Sequence, residues 1–336
     1  MSYCLINSKN FSSNIQVIQK YIDINKIAIV LKNNAYGHGL LEMAKIANKN
    51  SIKNAVVINY EEANRIVNFF DSILVLSGIP DKCPPNNVYI TINQLDDILK
   101  IPSGSNVELK VDTGMNRNGI KINQIEKAIK IIKELDLNLK GVFTHFSNAF
   151  ENDGSMESQE IIFDNIKLQI EKLMPNQDMR FHCSSSPGVF RLDNNKYDIA
   201  RIGIALYGYV DLPNDINYPP LKPILSLWSE KISERIVQKG QYIGYGRAFK
   251  ADKEMTISTY DIGYGNGFFR LDENKQFKIS DGRDILGRVS MNNLALEGND
   301  QEVCIFNDVT ELAKFHNTIS YEILCRLDSD IIKKVI

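Results

Sequence analysis

Along the chain, short apolar, β-branched runs recur between stretches whose apolar residues fall three and four positions apart. The runs are "IAIVLK" (27–32), "NAVVIN" (54–59), "SILVLSG" (72–78), "VYITIN" (88–93), "NVELKVD" (106–112), "LKGVFTHF" (139–146), "MRFHCSSS" (179–186) and "YDIARIG" (197–203). Such runs predict strands, and the unbroken apolar Ile27–Leu31 predicts one buried on both faces. The intervening stretches, such as 124–135 and 158–173, carry the helical spacing. Eight βα units in about 200 residues predict an α/β fold closed into an eight-stranded parallel (β/α)8 barrel, rather than an open doubly wound sheet. After "DLPNDINYPPLKP" (211–223) the pattern changes to strands without regular helices: "LSLWSEKISERIV", "MTISTYDIGYG", "RDILGRVSM" and "EVCIF". A smaller, mostly β C-terminal domain is expected there, with "SYEILCRL" (320–327) as its one helix. The expected boundaries are 7–217 for the barrel and 218–336 for the second domain, which residues 1–6 join as a strand.

Composition narrows the partners. With 39 basic and 41 acidic residues, the formal charge of −2 offers no broad field for nucleic acid or an anionic membrane. The apolar runs are strand-sized, and the opening "MSYCLINSKNFSSN" has neither a basic region nor an apolar signal core, so a cytoplasmic chain is expected. Cys4, Cys83, Cys183, Cys304 and Cys325 are odd in number and widely spaced, as reduced thiols would be. His38, His145, His182 and His316 do not fall at metal-binding spacing, so no metal is expected.

Candidate chemistry gathers at the carboxyl ends of the predicted strands, where barrels of this kind build their sites. Strand one ends in Lys32, strand six in His145, strand seven in Ser184, Ser185 and Ser186, and strand eight in Arg201 followed by Gly203. A lysine at a strand end commonly just reaches water, and a serine run is commonly a turn. Together, however, an amine that can form a Schiff base and a serine–glycine cradle for a phosphate point to pyridoxal 5'-phosphate, which is both an aldehyde and a phosphate ester.

Five segments, in order, resemble the alanine racemase family: "KNNAYGHG" (32–39), "LKVDTGMNRNGI" (109–120), "HCSSSPG" (182–188), "ARIGIALYG" (200–208), and "GYGRAF", "GYGNG" and "GRVSMN" within 244–292. The resemblance implies a fold-type III enzyme that racemises L- and D-alanine to supply D-alanine for peptidoglycan. It also implies a head-to-tail homodimer with shared active sites. Residue by residue, it implies that Lys32 is the cofactor lysine and that Tyr36, Ser186 and the backbone of Gly203 and Ile204 hold the phosphate. Arg201 would face the pyridine nitrogen with His145 in support. Arg117 would meet the phenolic oxygen and the substrate carboxylate, held by a Lys110 open to carbamylation. From the partner chain, Tyr245 would be the second base, while Tyr264 and Met291 would line the substrate site and its entrance.

The chain departs from the family pattern at Ser185, Pro187, Asn266, Asn292, Phe150, Glu151 and Ser329. Two of these changes, Asn266 and Asn292, replace aspartates near the expected entrance and active site. They keep open a broad-specificity or serine-preferring racemase and, further off, a fold-type III decarboxylase or a non-catalytic cofactor-binding protein.

Overall fold

The computed structural model describes residues 1–271 and 277–336. The chain forms two compact units: Phe11–Ala35 with Met43–Lys222, and Met1–Asn10 with Tyr36–Glu42 and Pro223–Ile336. The first strand, β1 (Tyr3–Ile6), belongs to the second unit.

The first unit contains the eight expected strands: β2 (Ile27–Val30), β3 (Asn54–Val57), β4 (Ser72–Val75), β5 (Val88–Ile92), β6 (Asn106–Lys110), β7 (Asn138–Phe143), β8 (Arg180–His182) and β9 (Ala200–Ile202). All are parallel, pairing in sequence order from β2 to β8, and β9 returns to β2 with Ile27 opposite Ala200. Between β8 and β9, the Asp198 N–H donates to Phe181 O and the Arg201 N–H to Ser184 O, both at 3.0 Å, so the barrel is nearly closed. β2 is buried at every position, which explains its unbroken apolar sequence, and β4 is buried throughout as well. The expected helices appear as Ile125–Glu134 and Ser155–Leu173. The first buries Ile125, Ala128, Ile129 and Ile132, a stripe at three- and four-residue spacing.

In the second unit, β1 lies antiparallel to β10 (Leu225–Val237) and parallel to the last strand, given below. A two-stranded hairpin follows, β11 (Tyr242–Ile243) with β12 (Phe249–Lys250), then β13 (Met255–Tyr260), β14 (Leu294–Glu297), β15 (Glu302–Phe306) and β16 (Ile332–Val335). β10 also pairs with β13 and β15. Val237, Ile243, Met255, Ile257 and Leu286 form a cluster within this unit's core.

Two expectations fail here. "RDILGRVSM" (283–291) is not a regular strand, and its ladder is reduced to the single bridge Lys278–Asp284. Gly287 has φ +71°, and a Cβ there would lie 2.7 Å from Ile243 O, so the segment is bent for close approach rather than extended. In addition, Ser320–Cys325 is not the only late helix, because Thr310–Phe315 forms another. No helix among the described residues is long and apolar enough to cross a membrane.

Candidate active site

At the carboxyl end of the barrel, Lys32, Lys110, His145, Ser186, Arg201 and Arg117 come from five strand ends and the loop after β6. Lys32 is separated from the end of β2 by Leu31 alone and is half-buried. Lys110 closes β6 and is 8% exposed. Burial, then the charges of Arg117, Arg201 and Lys32, push its amine down to about 8, against the opposing pull of Asp112. His145 is pressed down to about 3, first by burial and then by Arg201, Arg117, Lys110 and Lys32. Its imidazole is therefore neutral near pH 7, and its Nδ1 accepts from Arg201 Nη2 at 3.2 Å. The cluster is strongly cationic, and its chemistry calls for an anion.

Local backbone geometry aims these side chains. Asn33, Asn34, Ala35 and Tyr36 all have φ between +53° and +54°, a left-handed turn directly after Lys32. Each such L-residue costs about 1–2 kcal/mol, less for Asn. The turn is held by the Ala35 N–H donating to Leu31 O at 2.8 Å and the Asn34 N–H donating to Glu62 Oε1 at 3.1 Å. The loop bearing Arg117 is fixed by Asp112, whose Oδ1 accepts from the Gly114 and Asn116 N–H groups at 3.0 and 3.1 Å. Arg117 itself is exposed and borders a cavity of about 520 Å³ with Thr91, Asn93 and Asp97. Ser186 Oγ accepts from the Gly203 N–H at 3.1 Å and the Ala205 N–H at 3.3 Å, which draws Ser186, Gly203 and Ile204 together and leaves the hydroxyl proton to donate.

The remaining expected residues lie in the second unit. Tyr36 is buried, its phenol raised by burial first and then by Tyr321 and Cys325, with the Tyr321 ring edge-on at 5.8 Å. Tyr245 is 70% exposed and borders a cavity of about 270 Å³ that Arg235 and Arg288 also line. The Tyr264 N–H donates to Ser290 O at 3.1 Å and the Gly265 N–H to Met291 O at 2.7 Å, so Tyr264 and Met291 stand side by side, both exposed. Asn266, one of the departures, caps its own turn by accepting from the Gly263 N–H at 3.1 Å.

Sequence reasoning left His182 without a role and did not single out Glu108 or Arg180. His182 lies between Glu108 and Arg201, and Arg180 pairs with the other oxygen of Glu108. No local motif announces this arrangement, because its members sit on three strands. No group of three His, Cys, Asp or Glu side chains able to hold a metal ion occurs among the described residues.

An amine and an anion-binding set at the carboxyl end of a parallel barrel, with a separate β unit carrying exposed tyrosines, define a (β/α)8-barrel enzyme with an appended β domain. Residues 6–211 match the family profile "Alanine racemase, N-terminal domain" and residues 224–335 the profile "Alanine racemase, C-terminal domain". The chain belongs to the alanine racemase family. It is 42% identical over 335 residues to the alanine racemase of a Nitratiruptor species, covering 98% of each chain. It is 37% identical over 332 residues to that of Campylobacter jejuni subsp. jejuni, again with 98% of each covered. Among solved structures, alanine racemase from Bacillus anthracis with bound L-Ala-P superposes with a TM-score of 0.87 at 26% identity, covering 100% of this chain and 95% of that one. The enzyme from Clostridium difficile 630 gives 0.89 at 25%, with the same coverage.

Proposed function

We propose that this enzyme interconverts L- and D-alanine with pyridoxal 5'-phosphate at the barrel mouth, acting in the cytoplasm to supply D-alanine for peptidoglycan. The observation that carries this reading is the convergence of Lys32, Lys110, Arg117 and Arg201 around a neutral His145. That donor set fits the group: cations for its phenolic oxygen and for a substrate carboxylate, a serine cradle for its phosphate, and an amine for its aldehyde. When bound, the cofactor supplies a conjugated ring that acidifies the Cα proton of an attached amino acid.

The chain's residues do the rest. Lys32 would hold the cofactor and exchange the Cα proton on one face. The partner subunit's Tyr245 exchanges it on the other, because inversion needs a proton returned opposite to the one removed. The exposure of Tyr245, Tyr264 and Met291 supports a second copy completing the site. Arg235 and Arg288 line the same cavity as Tyr245 and place cationic groups beside it. Ser186, Gly203, Ile204 and Tyr36 would bind the phosphate. Arg201, which surrenders a proton only with difficulty, would face the ring nitrogen and leave it unprotonated. Arg117 binds the substrate carboxylate. Lys110 steadies Arg117 as a carbamate, and its lowered pKa supplies the neutral amine that addition of carbon dioxide requires. Tyr264 and Met291 line the entrance.

Chiral product analysis on a panel of L-amino acids tests the reading. Conversion of L-alanine to the racemate ahead of L-serine is expected. Serine clearly outrunning alanine, or release of carbon dioxide without inversion, would overturn it.

A further inference from the structure

Inside the barrel, below the cationic mouth, a file of polar side chains crosses from wall to wall. Glu108 on β6 is wholly buried, and a carboxylate at such depth is tolerated only when its oxygens are paired. Arg180 on β8 donates its Nε–H to Oε1, and His182 donates to Oε2 at 2.8 Å. Arg180 is itself held, with Nη1 donating to Ser72 Oγ at 2.7 Å and its guanidinium 4.6 Å above the Tyr89 ring. The barrel wall leaves room for the pair. Gly141 on β7 lies in register with both Glu108 and Arg180, and a Cβ there would come within 2.9 Å of Arg180 Cγ and 3.0 Å of Glu108 Cδ. On the far side of the imidazole, Arg201 Nη1 meets His182 Nδ1 at 2.5 Å. Phe143 stacks on the His182 ring at 4.9 Å and lies under the Arg201 guanidinium at 5.0 Å.

The donors and acceptors in this file permit one arrangement. An ionised carboxylate only accepts and a guanidinium only donates, so His182 must carry its proton on Nε2 and present a bare lone pair at Nδ1. Burial drives His182 down to about 4 against the raising pull of Glu108, which keeps it neutral. Burial alone would raise Glu108, but Arg180 and His182 hold it at about 2, an ion across the working range.

We propose that Glu108, clamped by Arg180, is a positioning residue that sets the tautomer of His182 and through it the direction in which Arg201 points at the barrel mouth. The orientation of a group by its hydrogen-bond partner's other partner is how buried imidazoles are commonly aimed. The consequence for turnover rests on the reading that Arg201 faces the cofactor's ring nitrogen. The tautomer does not depend on that reading.

The test is long-range proton–nitrogen NMR on enzyme labelled with 15N-histidine, with and without pyridoxal phosphate, using His182→Gln to assign the resonance. Wild-type His182 should be protonated at Nε2 alone. In Glu108→Gln the carboxamide oxygen is needed by Arg180, so its NH2 turns to His182, the proton moves to Nδ1 and Arg201 is displaced. The loaded variant should then show a shifted visible absorption band and a kcat on alanine lower by about 10- to 100-fold with KM little changed, the scale of a misplaced group. A wild-type His182 protonated at Nδ1 or on both nitrogens overturns the proposal even if the variant does not fold. So does a Glu108→Gln enzyme whose tautomer is unmoved, or one whose tautomer moves while band and kcat stay as in the wild type. If the wild-type protein neither binds pyridoxal phosphate nor racemises alanine, the functional reading fails, and the cofactor-free spectrum still decides the tautomer.

Discussion

Lys32 was legible because everything that marks it is local: an apolar strand before it and a polar, glycine-bearing loop after it. Replacing it by alanine should abolish the visible absorption of added pyridoxal phosphate bound to the protein, and borohydride reduction of the wild type should leave the label on the peptide containing Lys32. A label on another lysine would contradict the assignment. The left-handed turn behind Lys32 was not legible, since Asn33 and Asn34 tolerate that conformation but do not demand it. Asn34→Val places a β-branched residue at φ +53° and should lower stability by about 1–2 kcal/mol, read from urea unfolding. Glu108 and Arg180 were illegible for a different reason: their partnership spans 72 positions, and only closure of the barrel makes them neighbours.

The barrel strands could be read from the sequence because short β-branched runs recur between helical stretches, although Glu108, Lys110, Arg180, His182 and Arg201 interrupt β6, β8 and β9 with polar groups. The β unit was read less completely. The helix Thr310–Phe315 went unread, and 283–291 is apolar enough to resemble a strand although a left-handed glycine bends it. The turn between β11 and β12 carries Tyr245. If it is one of two bases, Tyr245→Phe should slow solvent-deuterium exchange into L-alanine much more than into D-alanine, and equal slowing would argue for a single base. The strand ends also carry a pH signature. His145 and His182 sit at about 3 and 4 in the fold against an ordinary 6.5, so between those values the unfolded chain binds more protons. Their contribution to stability is therefore complete above about pH 6.5 and is lost as the pH falls towards 4 and 3. The Glu108 carboxyl, at about 2 against 4.5, extends the loss downward in pH with the same sign. Urea midpoints measured from pH 7 to 4 should fall for the wild type and fall less steeply for His182→Gln.

At the scale of the whole molecule, shared sites make a quantitative prediction. Lys32→Ala and Tyr245→Ala chains should each be inactive. Co-expressed with distinct affinity tags, about half of the dimers should be mixed, each with one intact site, which restores roughly a quarter of wild-type activity. Verified heterodimers without activity would mean that the two residues act within one chain or that Tyr245 does not act. The placement of β1 has a further consequence, for synthesis. Tyr3 pairs with Trp228 and with Ile332, so β1 lies between two strands that are made only after the whole barrel stretch has been synthesised. At about 5–20 residues per second, β1 waits on the order of 10–45 s for β10. Throughout that interval it is a nascent segment without its ladder, exposed to mispairing and to chaperones. The β unit therefore cannot assemble cotranslationally from its own stretch of message. A fragment starting at Pro223 should emerge with a gap between β10 and β16, which a separately supplied peptide spanning residues 1–10 would be needed to fill.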